Sequence, residues 1–333
     1  MTKLDELIQE LCPDGVEFVS MNELLKRKQI STITPTIKVK RNDYLDIGET
    51  PIISQEIEYI SGYCNFHDKN IPCGNYVCFG DHSEHIKYIN FSFVQGADGL
   101  KIMRTNESTI SSRYLFHALS SKYQRHNNYE RHFKYLTDTI IPVPPLPVQR
   151  EIVRILDNFT ELTAELTAEL TARKKQYAYY RDKLLTHSSE TKICKLADVC
   201  ESIADGDHMP PPKADDGIPF ITISNITEQN KIDFSNTMFV PSSYYDALAD
   251  KRKPHSGDIL YTVVGSYGIP VCIEQDTKFV FQRHIAILRP RSEVIKARYM
   301  FHAMQSGAFK AQADKAAKGA AQKTIGLSSL AEM

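Results

Sequence analysis

The chain has 333 residues and a formal net charge of −1, with hydrophobic and charged fractions of 42% and 24%, as in ordinary soluble proteins. This length predicts two or three domains, and the near-neutral charge does not by itself indicate a nucleic-acid binder. The charged N-terminus predicts no signal peptide, and no apolar run is long enough to span a membrane. The seven cysteines are odd in number and scattered. They favour reduced thiols and a cytoplasmic location.

Residues 1–146 mix helical and strand-like patterns, and we assign them to a first domain. Two short amphipathic helices are predicted before residue 31, the second with Asn22 as its N-cap. From residue 32 to 104, β-branched and aromatic runs broken by Gly, Asn and Asp predict strands and turns. A helix over residues 111–126 follows, and the proline-rich residues 139–147 then form an extended lead-in.

The next segment, assigned to residues 147–188, is predicted to be one long helix because it is rich in helix formers and has no glycine or internal proline. Roughly forty residues at 1.5 Å each give a length of about 60 Å, wider than a single domain core. We therefore expect a partner helix, as in an antiparallel coiled coil, whereas the alternative is a solvated linker. The apolar seam recurs at steps of three, four and seven residues and consists of Val148, Ile152, Ile155, Phe159, Leu162, Leu166, Leu170, Tyr177 and Leu184.

Residues 189–333, a second domain, repeat the pattern of the first. A short helix is predicted over residues 196–203, then several strands, then a helix over residues 297–318. RYLFHAL at 113–119 matches RYMFHAM at 298–304, and KIMR at 101–104 matches AILR at 286–289. Both pairs are offset by 185 residues (298 − 113 and 289 − 104), so we infer a duplicated domain. A second long helix would follow the second copy, but the sequence stops first, and we expect a homodimer through the long helix.

These features together resemble the specificity subunit of type I restriction-modification systems. The resemblance rests on PLPVQREIVRILDNF at the start of the long helix, on the tandem Glu-Leu-Thr-Ala repeat at 161–172, and on GDILYTVVGSYG, FQRHIAILRP and AAQKTIGLSSLA in the second domain. It covers essentially the whole chain and is weakest between residues 32 and 110. The fold class it implies is α+β: two similar mixed α/β target-recognition domains joined by the long helix.

The resemblance implies a subunit that is non-catalytic by itself and has no cofactor. It would belong to a type I site-specific deoxyribonuclease and adenine-specific DNA methyltransferase complex. Each recognition domain would read one half of a bipartite site in double-stranded DNA. The helix would dock the modification (methyltransferase) subunits and the restriction subunit. A four-residue repeat adds about 6 Å to a helix and rotates it by only about 40°, so it can lengthen the spacer while the seam survives.

Local charge supports contact with DNA. Residues 281–323 contain nine basic and two acidic residues, and residues 113–134 contain five basic residues and one acidic residue. Such patches bind phosphates, while Arg, Lys, Asn and Gln read base edges. For any one of these side chains, a solvated surface charge is the competing interpretation. The candidate DNA-binding residues are Lys38, Lys40, Arg41, Gln55, Lys87, Tyr267, Gln282, Arg283, His284, Lys318, Gln322 and Lys323.

Two other classes of function stay open as hypotheses, a stand-alone metal-dependent DNA nuclease and a structural coiled-coil scaffold. The nuclease would use the cluster Cys64, His67, Cys73, Cys78, His82 and His85, but its spacing fits no tight zinc knuckle, and we expect no metal. His117 lies in the duplicated motif with His302, which favours helix packing over catalysis. No Walker A loop, glycine-rich cofactor loop or methyltransferase motif occurs in the sequence, so we expect the chemistry in partner chains.

Overall fold

The computed structural model describes residues 2–65, 70–96, 99–186, 193–206, 211–320 and 322–333. The chain divides into two compact units, Met1–Thr167 and Ala168–Met333, which are described separately. Sheets, short helices and one long helix make up the α+β class that the sequence predicts. The domain boundaries at 1–146, 147–188 and 189–333 remain a prediction.

The first unit contains three small sheets and the helices that flank them. Its elements, in chain order, are α1 (Lys3–Leu11), β1 (Phe18–Ser20), α2 (Met21–Lys26), β2 (Ile30–Ile33), β3 (Thr50–Ile53), β4 (Gly62–Cys64), β5 (Tyr76–Gly80), β6 (Ile86–Ile89), β7 (Val94–Gln95), β8 (Leu100–Thr105), α3 (Ser112–Lys122), α4 (Phe133–Asp138), β9 (Ile140–Pro142) and the first part of α5 (Leu146–Leu184). A four-stranded antiparallel sheet has the order β2-β8-β5-β6. A three-stranded sheet has the order β4-β3-β7, with β3 and β7 parallel, and β1 pairs with β9.

The start of α2 and the end of α3 differ from the prediction because of hydrogen bonds to nearby side chains. Helix α2 is capped by Ser20, whose Oγ accepts from the Glu23 amide at 3.2 Å; the expectation of Asn22 as N-cap was wrong. Helix α3 ends at Lys122 rather than at residue 126. The reason is that the backbone amides of His126 and Asn127 donate to the carboxylate of Glu84 instead of continuing the helix.

The second unit repeats this architecture. Its elements beyond α5 are α6 (Leu196–Val199), β10 (Cys200–Asp205), β11 (Ile218–Ile221), β12 (Met238–Val240), α7 (Ser242–Asp246), β13 (Ile259–Thr262), β14 (Pro270–Cys272), β15 (Val280–Phe281), β16 (Ile285–Pro290), α8 (Ala297–Met304), α9 (Gly307–Ala316) and α10 (Leu327–Ala331). The antiparallel sheet β10-β16-β13-β14 corresponds strand by strand to β2-β8-β5-β6. The sheet β12-β11-β15, with β11 and β15 parallel, corresponds to β4-β3-β7. The duplication inferred from the sequence is therefore present in the fold.

Two predicted helices of the second unit are shorter than expected. The helix predicted over residues 196–203 ends at Val199, because Cys200 already begins a strand paired with β16. The helix predicted over residues 297–318 is two helices, α8 and α9. It breaks at Ser306, whose Oγ accepts from the Phe309 amide at 3.2 Å and so caps a new helix.

Equivalent helices pack on the four-stranded sheet in each unit. In the first unit, Leu115 and Leu119 of α3 are completely buried against strand residues such as Phe79. In the second unit, Met300 and Met304 of α8 take the same places. Burial of each such side chain contributes about 1.5–3 kcal/mol. None of the helices in the described residues has an apolar stretch that could cross a membrane.

Candidate nucleic-acid interface

Three of the predicted DNA-binding residues of the second unit line one cleft. Arg283, His284 and Gln322 border an open cavity of about 290 Å³. Arg283 and Gln322 are exposed, and His284 is half-buried. The cleft offers a guanidinium, an imidazole and a carboxamide within one concave surface, a donor and acceptor set that suits both phosphates and base edges.

Backbone pairing between neighbouring loops holds this cleft in shape. The amide of Gly265 donates to the carbonyl of Lys323 at 3.0 Å. Lys318 and Thr324 exchange two backbone hydrogen bonds at 2.9 and 2.8 Å. The segment whose ends these bonds hold together is called the 318–324 turn. The φ of Gly265 is +70°, a conformation that favours glycine and that brings this loop against the 318–324 turn. The exposed side chains Lys318 and Lys323 therefore project from a fixed backbone.

The other two predicted residues of this unit lie beside the cleft. Gln282 is half-buried at the end of β15, where its amide donates to the carbonyl of Ile221 at 3.0 Å. Tyr267 is half-buried, and its hydroxyl donates to Oδ1 of Asp314 at 2.8 Å. This hydrogen bond raises the pKa of Tyr267, so its hydroxyl is already engaged within the protein.

In the first unit, the predicted DNA-binding residues do not line one common cleft. Lys38, Lys40 and Arg41 are exposed on one segment, and the Arg41 guanidinium forms an ion pair with Glu56. Gln55 is half-buried, and its Oε1 accepts the backbone amide of His82 at 3.1 Å. Gln55 thereby supports the loop that follows β5.

Lys87 is placed in the interior, contrary to the expectation of a surface base-reading side chain. Its side chain is only 5% exposed, and Nζ donates to the backbone carbonyls of Ser54, at 3.0 Å, and Glu58. Burial lowers the pKa of Lys87. A lysine that bridges two carbonyls in this way stabilises the contact between β6 and the segment after β3, and its ammonium group cannot reach a phosphate.

The cysteine and histidine cluster considered for a nuclease is dispersed. Cys64 and Cys78 are buried, Cys73 is exposed, and His67 lies outside the described residues. A different trio, Glu84, His126 and His132, brings its potential ligand atoms within 4.8 Å of one another. These atoms are already engaged with protein groups.

The duplicated Arg and His residues contact α5 in the first unit. Arg113 donates from Nε and Nη2 to the carboxylate of Asp157 at 2.9 and 2.8 Å. Nε2 of His117 lies 2.9 Å from the same carboxylate. Burial raises the pKa of Asp157, but the hydrogen bonds from Arg113 and His117 outweigh it, so the net shift is downward. His117 therefore packs one helix on another, as the sequence predicts.

Residues 13–173 match the family model of the type I restriction modification DNA specificity domain. The chain is 32% identical, over 205 residues, to the Escherichia coli EcoR124I/EcoR124II specificity subunit, covering 56% of this chain and 48% of that protein. A putative type I restriction enzyme specificity subunit of Haemophilus influenzae is 33% identical over 175 residues, covering 49% of this chain and 43% of that protein. Over residues 13–173, the chain is therefore similar to the specificity subunits of type I restriction-modification systems.

Solved structures from type I restriction-modification systems share the fold. The S subunit of a type I system from M. genitalium aligns with a TM-score of 0.59 at 12% identity, over 96% of this chain and 84% of that one. A chain from a structural study of type I restriction-modification assembly aligns with a TM-score of 0.54 at 16% identity, over 96% and 85%. The chain spans about half the length of the curated relatives it matches. None of these comparisons supports the nuclease hypothesis.

The apolar side chains predicted to form a seam lie along α5. The helix buries only its first turns, through Val148, Gln149 and Glu151. Along residues 161–172, the Glu-Leu-Thr-Ala repeat, every residue is exposed. The predicted seam positions are half-buried at Ile152 and Ile155 and exposed at Phe159, Leu162, Leu166, Leu170, Tyr177 and Leu184.

Sequence reasoning missed one surface of the first unit, the loop between α3 and α4. It contains the exposed Tyr129 between Arg125 and Arg131. The net positive charge of residues 113–134 was visible in the sequence, but no pattern singled out the tyrosine. Only the correspondence between the two units, which depends on backbone pairing, identifies its position.

Proposed function

We propose that this chain is a sequence-specific DNA-binding specificity subunit that directs the methyltransferase and restriction subunits of a type I restriction-modification complex. The observation that carries the proposal is the duplicated recognition fold together with the match of residues 13–173 to the DNA specificity domain. Each unit would read one half of a bipartite site, and α5 would hold the halves apart. The chain would be non-catalytic by itself and would act in the cytoplasm on double-stranded DNA.

In the second unit, the cleft between residues 264–268, 282–284, 318–320 and 322–324 is the proposed reading surface. Arg283 and Gln322 would contact base edges, and Lys318 and Lys323 would contact the phosphates that flank them. In the first unit, Lys38, Lys40 and Arg41 would supply phosphate contacts. Most of the affinity would come from such charge pairing and would fall steeply with salt.

Selection from a pool of randomised duplex DNA with the purified chain tests this proposal. We expect enrichment of a bipartite sequence with two fixed blocks. Arg283→Gln should lower affinity by about 1–3 kcal/mol and relax the preference in one block only, because a bidentate base contact is lost. Lys323→Gln should weaken binding to all sequences equally and reduce the salt slope by about 1.

Lys231→Gln is the matched control, because Lys231 is an equally exposed lysine of the same unit that borders a different cavity. It should leave the enriched sequence unchanged. Absence of any DNA affinity at low salt would favour a scaffold instead, and cleavage of DNA with a divalent metal and no partner would favour the nuclease.

The exposed seam of α5 supports a second part of the proposal, a homodimer with antiparallel long helices. Exposed Phe and Leu side chains at steps of three and four are the pattern by which helices pair. Leu166→Glu should convert the dimer to a monomer in sedimentation velocity experiments.

Ala164→Glu is the control for the seam. It introduces the same charge two residues away, about 200° around the helix, and should leave the dimer intact. A wild-type chain that sediments as a monomer at every concentration would contradict this part of the proposal.

A further inference from the structure

The loop between α3 and α4 of the first unit occupies the same place in the fold as the 318–324 turn of the second. In the second unit, the amide of Ile325 donates to the carbonyl of Val263 at 2.8 Å; Val263 is the first residue after β13. In the first unit, the amide of His132 donates at 2.8 Å to the carbonyl of Asp81, the first residue after β5. The two hydrogen bonds join equivalent positions.

A second pair of hydrogen bonds fixes the same register. The amide of Val263 donates to the carbonyl of His284 at 2.9 Å, and the amide of Asp81 donates to the carbonyl of Gly99 at 2.6 Å. Three residues before Ile325 lies Gln322, the predicted base reader of the second unit. Three residues before His132 lies Tyr129, which therefore holds the place of Gln322 in the first unit.

Tyr129 is presented to solvent on a supporting ring. Its side chain is 91% exposed, and its ring stacks on His82 with centroids 5.3 Å apart and planes 18° apart. His82 is itself held, because its Nδ1 lies 3.0 Å from the carbonyl of Glu130 and its amide donates to Gln55. An exposed tyrosine with one face supported offers a rigid ring edge and a hydroxyl to a ligand.

A buried carboxylate anchors the loop that carries Tyr129. Glu84 is 2% exposed and accepts from the hydroxyl of Tyr123 at 2.6 Å and from the amides of His126 and Asn127 at 2.8 Å each. Burial raises the pKa of Glu84, but these hydrogen bonds outweigh it and lower the pKa to about 2. The carboxylate is therefore ionised at neutral pH and holds the start of the loop.

The end of the loop is fixed by His132, which is completely buried. Its Nδ1 lies 3.1 Å from the carbonyl of Asp81, and its Nε2 lies 2.7 Å from Oδ1 of Asn128. The orientation of Asn128 is set by its Nδ2, which donates to Glu130 at 2.9 Å. With both ends fixed, little conformational entropy would be lost when the loop binds a ligand.

Two exposed arginines, Arg125 and Arg131, lie on either side of Tyr129 in the sequence of this loop. Across the described residues, no carboxylate lies within salt-bridge distance of either one. Cations without an internal partner beside an exposed aromatic side chain fit a polyanion with flat, hydrogen-bonding groups, which is the chemistry of a nucleic-acid groove.

We infer that Tyr129 is the specificity-determining DNA contact of the first unit, with Arg125 and Arg131 on the flanking phosphates. This inference rests on the proposed function. It adds a position that the sequence did not identify and assigns it the role proposed for Gln322 in the second unit. The hydroxyl and ring edge of Tyr129 would contact a base edge, where the donor and acceptor pattern differs between base pairs.

The test uses the full chain and the pool of randomised duplex DNA. Tyr129→Ser should lower affinity for the wild-type enriched duplex about 5- to 150-fold, the range for loss of one base contact, and relax the preference in one block only. Arg131→Gln should weaken binding to every duplex and reduce the salt slope by about 1. The control Tyr179→Ser removes another exposed tyrosine, one that lies in α5, and should change neither quantity.

A second substitution at Tyr129 distinguishes the loss of a DNA contact from the loss of loop structure. Tyr129→Phe keeps the ring on His82 and removes only the hydroxyl, so it should unfold at the wild-type temperature and lose about two- to tenfold in affinity. If the wild type selects a bipartite sequence while both Tyr129 variants select it with unchanged affinity, the inference is wrong and the proposed function stands. If the wild type selects no sequence, both fail.

Discussion

The two units share a topology but differ in the burial of one face of the helix that packs on the four-stranded sheet, α3 in the first unit and α8 in the second. Tyr114 of α3 is 3% exposed, and its hydroxyl donates to the carbonyl of Pro142 in β9 at 2.9 Å. Its counterpart Tyr299 in α8 is 53% exposed. A second pair of equivalent positions differs in the same way. Val19 in β1 is buried and pairs with β9, whereas the equivalent Cys194 in the second unit is exposed.

This difference shows that one sequence motif serves two separate contacts. The motif residues that face the sheet, such as Leu115 and Met300, are buried in both units. The motif residues that face away from the sheet have different partners in the two units. Arg113 pairs with Asp157, whereas Arg298 pairs with Glu274. His302 instead lies 2.9 Å from the hydroxyl of Tyr177. Desolvation, Arg298 and Arg181 lower the pKa of His302.

Replacement of the equivalent tyrosines Tyr114 and Tyr299 gives the sharpest test of this comparison. Tyr114→Ala removes a buried ring and should lower the free energy of unfolding of the first unit by about 3–5 kcal/mol. Tyr299→Ala removes an exposed ring and should change the stability of the second unit by about 0.5 kcal/mol or less. Urea unfolding followed by circular dichroism measures both, and equal losses would mean that the two faces are equivalent.

The carboxylate of Glu84 anchors the loop between α3 and α4 of the first unit. Glu84→Gln should destabilise the first unit by about 1.5–3 kcal/mol, because hydrogen bonds to a charged acceptor are weakened in the interior. The pKa of Glu84 is lowered from 4.5 to about 2. Its contribution is therefore complete above pH 4.5 and is lost as the pH falls towards 2.

Amide hydrogen exchange of residues 123–127 between pH 6 and pH 3 would report this loss. The exchange rates first need correction for their intrinsic dependence on pH. The wild type should lose protection there as the pH falls, whereas the Gln variant should show little protection at either value. Protection in the wild type that does not change with pH would contradict the assignment of Glu84 as the anchor.

The contact between α3 and α5 should have a smaller effect. Asp157→Asn leaves Arg113 and His117 with a neutral acceptor and should cost about 1–2 kcal/mol, because the group is only partly screened by water. Glu169→Gln on the same helix breaks the exposed pair with Arg173 and should cost about 0–0.5 kcal/mol. Thermal unfolding of the two variants measures both effects. Equal decreases in melting temperature would mean that the contact between α3 and α5 does not stabilise the first unit.

Much of the fold could be predicted from local sequence, because strands, the long helix and the duplication depend on residue type and spacing alone. The features that could not be predicted depend on partners distant in the chain. Lys87 reads as a surface charge until the carbonyls of Ser54 and Glu58 are placed beside it. Tyr129 lies in an unremarkable polar loop, and its position matters only through pairing with residues near Asp81. The break before α9 depends on a single serine cap.

The tetrapeptide repeat in α5 has a consequence for how this protein can change over time. Its side chains along residues 161–172 touch neither hydrophobic core, so gain or loss of one Glu-Leu-Thr-Ala unit would leave both cores intact. A tandem repeat in the coding DNA is also a place where copying errors add or remove whole units. Under the proposed function, the spacing between the two halves of the DNA site would therefore vary in inherited steps, independently of the bases that each unit is proposed to read.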